Sequence, residues 1–245
     1  MPTQAPAGNV APVPGVPLQF VVGKGGVGKS TLSTALALAS AGRGERTLLV
    51  EFGGAGGCAR LLGVADAVPG RLSEVRPGLF LLVLRGDEAL AEYLGKVLPV
   101  RRLLDAVLAS RLYRVFVAGA PGLRELMTVG KVFSESGSTL PDGSRRWARI
   151  VVDAGASGHS LQYLQMPSAA VRAFGSGLVH REATRVQAVL ADPHKTCVHV
   201  VATPEEMPVT EASSIVERLR GGLGLPVGSL VVNRCREAAP RGATK

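Results

Sequence analysis

Between an apolar run at residues 18–22 and a helix-forming segment that begins near Lys29 lie eight residues suited to holding a polyphosphate: Gly23-Lys24-Gly25-Gly26-Val27-Gly28-Lys29-Ser30. They satisfy the Walker A pattern, in which a glycine-rich loop joins a strand to a helix. The glycines let successive backbone N–H groups converge on phosphate oxygens, and the helix N-terminus adds positive potential. In that chemistry Lys29 bridges the β- and γ-phosphates, the Ser30 hydroxyl ligates Mg²⁺, and Thr31 reaches the α-phosphate. A glycine-rich linker could carry the same residues, but a strand before it and a helix after it argue for the phosphate site. Asp153 ends another apolar run, Ile150-Val151-Val152-Asp153, where a carboxylate would hold the Mg²⁺ water shell. The expected cofactors are ATP and Mg²⁺.

A layered α/β domain must carry these groups. Strands are expected at residues 18–22, 47–52, 79–84, 150–153, 198–202 and 230–232, and helices at 29–41 and 208–220. Gly42 is expected to close the first helix in a left-handed turn. From about Asp87 to Ser136 apolar residues recur at helical spacing, as in Leu94, Val97 and Leu98, then Leu103, Leu104, Val107 and Leu108. Apolar strands alternating with helices imply a doubly wound, mostly parallel sheet of the P-loop NTPase type, with a helical insertion over about 87–140. Ligands of such sheets sit at the carboxyl ends of the strands, where both glycine-rich turns fall. The expected division is a disordered tail at 1–17 and an ATPase domain at 18–245 with a shortened C-terminus.

Composition narrows the possibilities further. Apolar residues make up 46% and charged residues 19%, enough for a large core. The longest apolar run, near residues 79–84, is far short of the ~20 residues that a membrane-spanning helix needs. No basic segment followed by an apolar one opens the chain, so no secretory signal is expected. Cys58, Cys197 and Cys235 form no CxxC pair, which predicts neither a zinc site nor a disulfide framework and points to a reducing cytoplasm. The net charge of +9 comes mainly from scattered arginines without like-charge runs or stacking aromatics. Specific nucleic-acid binding is therefore not expected, and general attraction to anionic surfaces is the milder reading.

Lys24, early in the loop, makes KGGVGKS resemble the deviant Walker A group, which includes the ParA/MinD and arsenite-pump ATPases. The resemblance implies that Lys24 reaches the nucleotide of the opposite subunit in a face-to-face dimer. The segment DAGASGHSLQYLQMP resembles the switch II signature of the arsenite-pump (ArsA) family, with Asp153, Gly158, His159, Leu161, Leu164 and Pro167 in register. It implies that Gly158 offers its N–H to the γ-phosphate, and leaves His159 as either a nucleotide sensor or a structural histidine. Pro121-Gly122-Leu123-Arg124-Glu125-Leu126 looks like the family's PG-acid-helix segment. Thr203-Pro204-Glu205 with Pro208, Thr210 and Glu211 is similar to its VTxPE…ET unit, and Val231-Val232-Asn233-Arg234 to a strand end whose Asn reads adenine. A GTP-type NKxD pattern would need Asp where Arg236 stands. The resemblance spans about 18–234 and looks like the bacterial subfamily related to the tail-anchored-protein targeting ATPase.

One departure bears on catalysis. The family's switch I carries an aspartate after the second strand to orient the attacking water; this chain places Gly53 there, in EFGGAGGCARLLG. Glu51, still on the strand, is the acid left to take up a Mg²⁺ water. The expectation is an ArsA-like ATPase with Lys24, Lys29, Gly158 and Glu51 in catalytic roles, and with impaired hydrolysis. It would bind Mg-ATP at the interface of a homodimer, or of a heterodimer with a paralogous ATPase, and switch a helical lobe that holds an unknown protein client. A catalytically weak nucleotide-binding scaffold is the first alternative. A ParA/MinD-like positioning ATPase is the second, against which the SGHS switch and the helical insertion speak.

Overall fold

Five stretches of almost unbroken Val, Leu, Ile and Phe have the composition of strands covered on both faces, and they form the centre of the fold. The computed structural model describes residues 15–54, 56–64, 67–86, 88, 89, 92, 122–155 and 157–235. Along the chain these give β1 (Leu18–Gly23), α1 (Lys29–Gly42), β2 (Thr47–Phe52), α2 (Gly57–Leu61), β3 (Leu72–Arg76) and β4 (Leu79–Leu84). Then follow α3 (Leu123–Ser136), β5 (Arg149–Asp153), α4 (Ser157–Ala173), α5 (Leu178–Ala191), β6 (Thr196–Ala202), α6 (Glu206–Glu217) and β7 (Val227–Val232).

The strands make one sheet in the order β3-β4-β2-β5-β1-β6-β7. Every neighbouring pair is parallel except β3 with β4. The chain leaves β1 past β5 to reach β2, and leaves β5 past β1 to reach β6. Connections therefore depart in opposite directions around β1 and β5, which opens a crevice at their carboxyl ends. The anticipated mostly parallel, doubly wound α/β architecture is the observed one.

Side-chain alternation assigns the two faces. Phe20, Val22, Leu48, Val50, Phe52, Ile150 and Val152 pack under α3 to α6 through Val129, Leu161, Val186 and Ile215. Val21, Leu49, Val151 and Val201 pack under α1 and α2 through Ala37, Cys58 and Ala59. Two residues beyond Leu49 and Val151, on that second face, come Glu51 and Asp153, paired directly across the β2–β5 ladder. A buried apolar sheet thus ends in two adjacent acids beneath the start of α1.

Some boundaries differ from expectation. Gly42 is the last residue of α1, and the left-handed turn falls at Gly44 (φ 80°), whose N–H reaches Ala41 O. The antiparallel edge strand β3 has the mixed sequence LSEVR, partly exposed, and shows no apolar run for a sequence reader to find. β7 begins at Val227, ahead of its apolar end. Most of the anticipated tail and most of the anticipated helical insertion lie outside the described residues. Val16 and Pro17, at the end of that tail, are tied in: Arg149 Nη1 donates to Val16 O (2.5 Å) and Ile150 N–H to Pro17 O (2.7 Å). No described helix is long and apolar enough to cross a membrane.

His199 on β6 is 1% exposed, with Nε2 3.4 Å from Cys197 Sγ. Gly228 on β7 leaves room for both; a Cβ there would lie 2.9 Å from His199 Cε1 and 3.0 Å from Cys197 Sγ. Burial holds the imidazole well below its usual 6.5, at about 4, so it folds neutral. The unfolded chain takes up the proton first, so this contribution is intact above pH 6.5 and drains as pH falls toward 4. Melting temperature should drop across that window, and His199→Leu should flatten the drop, as read by thermal scans at stepped pH.

Candidate functional site

The phosphate-loop residues leave β1 and enter α1 as their spacing predicts. Past Gly23, which still pairs with Val201 across the β1–β6 ladder, the next amide among the described residues to meet a backbone carbonyl is that of Leu32, which donates to Gly28 O (3.0 Å). The amides ahead of it are left for an anion, reinforced by the helix dipole. Gly28 has φ 102°, and a Cβ on it would collide with the side-chain amide of Asn233. That amide donates to Val27 O (2.8 Å), while the Asn233 backbone N–H donates to Ala202 O (2.8 Å). Asn233, anticipated as an adenine reader, thus stitches the end of β7 to the loop.

Lys29 is buried, and its Nζ donates to Lys24 O at 2.8 Å. Burial pulls its pKa below the usual 10.5, while the charges of Asp153 and Glu211 act in the opposite sense. The ammonium is therefore held inside the loop by a carbonyl that a phosphate oxygen can replace. Lys24 points elsewhere: its Nζ lies 3.9 Å from Glu211 Oε2 on α6, about a third exposed. It lines a second cleft with Val27, Thr203, Glu205 and Pro208, apart from the one that contains Ser30.

The Ser30 hydroxyl donates to Asp153 Oδ2 at 2.5 Å, and Cys58 Sγ stands 3.4 Å from the same oxygen. Asp153 is 3% exposed, and its Oδ1 is buried with no hydrogen-bond partner among the described residues. A buried carboxylate oxygen without a partner is costly unless something cationic or hydrated meets it. The pair fits a hard divalent cation that takes one hydroxyl directly and one carboxylate through water. No group of three or more His, Cys, Asp or Glu converges among the described residues, so the remaining ligands of such an ion would be phosphate and water.

Glu51 takes a different part from the one its sequence position suggests. Its Oε1 accepts the Gly57 N–H (2.8 Å), and its Oε2 accepts those of Cys58 (3.0 Å) and Ala59 (3.4 Å). Both oxygens cap the opening turn of α2, so the carboxylate is spent on the backbone. Gly53, Gly54 and Gly56, with φ 84°, 67° and 71°, let the chain turn from β2 straight into that helix. The turn brings α2 against Ser30: a Cβ on Gly57 would stand 2.7 Å from Ser30 Oγ. Gly158 lies in the first turn of α4, just past Asp153. The side chain of His159 is outside the described residues.

Lys29, Ser30, Asp153 and Glu51 are therefore brought together, with Thr31 and the glycines lining the cleft, while Lys24 and Asn233 flank it. Sequence reading missed Cys58 and Arg60 as part of the site. The signal was present: both follow the glycine turn by less than two helical turns, on the one short helix that it creates.

Two measurements check this geometry. Replacing Glu51 by Gln strips the α2 amides of a buried carboxylate and should cost about 1–3 kcal/mol, read from the denaturant midpoint. Burial and the neighbouring Asp153 charge push the Cys58 thiol upward, burial raises Cys197 to about 12, and Cys235 is exposed. A disulfide reagent should titrate Cys235 rapidly in the folded chain, and the other two thiols only after unfolding.

Comparison with known proteins agrees with this layout. The sequence pattern of the anion-transporting ATPases matches residues 17–178. The chain is 32% identical over 224 residues to ATPase BagA of Mycobacterium tuberculosis, covering 90% of this chain and 65% of that protein. It is 30% identical to Protein Rv2184c of the same organism, over 89% of this chain and 58% of that one. It is 29% identical to the arsenical pump-driving ATPase of Acidiphilium multivorum, over 89% of this chain and 39% of the relative. The chain thus spans about two thirds or less of the length of these relatives. On the matched strands, loop and switch segments, it belongs to the anion-transporting (ArsA) ATPase family.

Proposed function

We propose that the chain binds Mg-ATP in the loop cleft and works as the nucleotide-dependent half of a dimer, with slow hydrolysis. The observation that carries this reading is the loop itself, with amides unclaimed among the described residues, a buried Lys29 bonded to Lys24 O, and the Ser30–Asp153 pair behind it. On a triphosphate, the amides of Gly26 to Thr31 hold the phosphate oxygens and Lys29 exchanges the carbonyl for the β,γ-oxygens. Ser30 directly, and Asp153 through water, would hold Mg²⁺, which when bound would supply charge neutralisation for the phosphates. The base leaves the loop toward the cleft beside Val27, Thr203 and Pro208.

Slow turnover follows from what is absent around the γ-phosphate. Gly53 has no side chain to orient water, and Glu51 is committed to α2. Loss of such a group costs ~10²–10⁴ in rate. Lys24 supports the dimer: it is partly exposed and held by Glu211 at 3.9 Å rather than by its own loop, so a partner's nucleotide could draw it away. The partner is a second copy or a paralogous ATPase, and the helical lobe is the place for a protein client. Three unpaired cysteines suit the cytoplasm. The commitment of Glu51 also favours a second reading, a nucleotide-bound scaffold that hardly turns over.

Gly53 gives the decisive variant. It sits at φ 84° with no atom within 4 Å of where a Cβ would be, a position that Asp and Asn tolerate better than other side chains. Wild type should bind Mg-ATP with turnover near background. Gly53→Asp should raise turnover by about tenfold or more, while Gly53→Asn, with equal backbone strain, should not. Equal turnover in the two variants removes the water-orienting argument. Failure of wild type to bind any adenine nucleotide with Mg²⁺ removes the whole reading.

A further inference from the structure

The same cleft holds a cation that neither the loop pattern nor the family comparison assigns. Arg60 lines it together with Gly26, Gly28, Lys29, Ser30 and Thr31. We propose that Arg60 is a contact residue in cis for the terminal phosphate, making the site favour ATP over ADP; this rests on the ATP-binding reading above.

The placement is built rather than incidental. The buried Glu51 carboxylate fixes the first amides of α2, and Gly57 packs directly on Ser30. Arg60 is three residues beyond Gly57, one helical turn along the same face. Its Nε donates to Gly56 O at 3.1 Å, which orients the guanidinium, and both Nη groups make no bond among the described residues. Arg60 is exposed and makes no ion pair among the described residues. Some other arginines are spent on structure, Arg149 on Glu45 and Val16 O and Arg76 on the Val75 and Leu62 carbonyls, whereas Arg60 lines the phosphate-loop cleft.

The chemistry suits a phosphate terminus. A guanidinium presents parallel N–H donors that match two oxygens of one phosphoryl group, and it keeps its charge at any working pH. Lys29 is buried at the base of the loop, while Arg60 approaches from the opposite wall, the wall that lacks an acid at Gly53. The switch segment of this chain therefore presents a cation in place of a carboxylate to the end of the nucleotide. That arrangement stabilises bound triphosphate but supplies no group to deprotonate or aim water.

The test is equilibrium binding of Mg-ATP and Mg-ADP, by calorimetry, to wild type, Arg60→Ala, Arg60→Lys and Lys29→Ala. Circular dichroism melts confirm folding, which an exposed side chain leaves intact. Arg60→Ala should weaken ATP about tenfold and ADP less than about twofold, erasing most of the preference. Arg60→Lys should recover only part, because an ammonium cannot bond two oxygens in parallel. Lys29→Ala should weaken both nucleotides. An unchanged ATP-to-ADP ratio in Arg60→Ala, with wild type binding normally, overturns the assignment and leaves the ATP-binding reading standing. Wild type that binds neither nucleotide overturns both.

Discussion

Everything at this site depends on where one buried carboxylate sends its two oxygens. Glu51, next to last in β2, is in register with Asp153 on β5, so two acids sit side by side under a helix start. Left together without partners, they would repel in a medium of low polarity. The fold separates their tasks. Glu51 turns to the amides of α2, and Asp153 turns to Ser30 and Cys58, its other oxygen buried without a partner among the described residues. A helix of five residues, too short to hold itself together, is thereby fixed against the phosphate loop.

That division explains why the switch region can look depleted and still be ordered. Three glycines with positive φ remove side chains from the wall opposite the loop. The carboxylate behind them restores rigidity that glycines alone would not supply. On the proposed reading, binding groups and water-orienting groups are separable in this architecture: the first would come from backbone and Lys29, the second from a side chain that position 53 does not supply.

Much of this was readable from the chain alone. The phosphate loop, the central strands and Asp153 announced themselves because each combines a strong local pattern with a strict place in a parallel sheet. β3 did not, because an edge strand with one side in solvent needs no apolar run. Gly42 was read as a helix stop because glycine favours left-handed turns, yet Gly44 two residues later takes that conformation. The position of Glu51 was legible, but the direction of its carboxylate was not. Direction is set by α2, whose helix is created by its tertiary contacts, and five residues carry too little periodicity to be seen. Cys58 and Arg60 could be suspected from their closeness to the glycine turn, but the way they face rests on those same tertiary contacts.

The bond from the Asn233 side chain to Val27 O has a mechanical meaning. β7 is an outer strand with Leu230 and Val232 about half exposed, so it offers an apolar rim to whatever lies alongside. Its end is tied by one side-chain amide to the glycine-rich loop, beside a glycine whose Cβ would collide with that amide. A partner seated on this margin would bear on the loop backbone through that amide and through the ladder from β6 to β1.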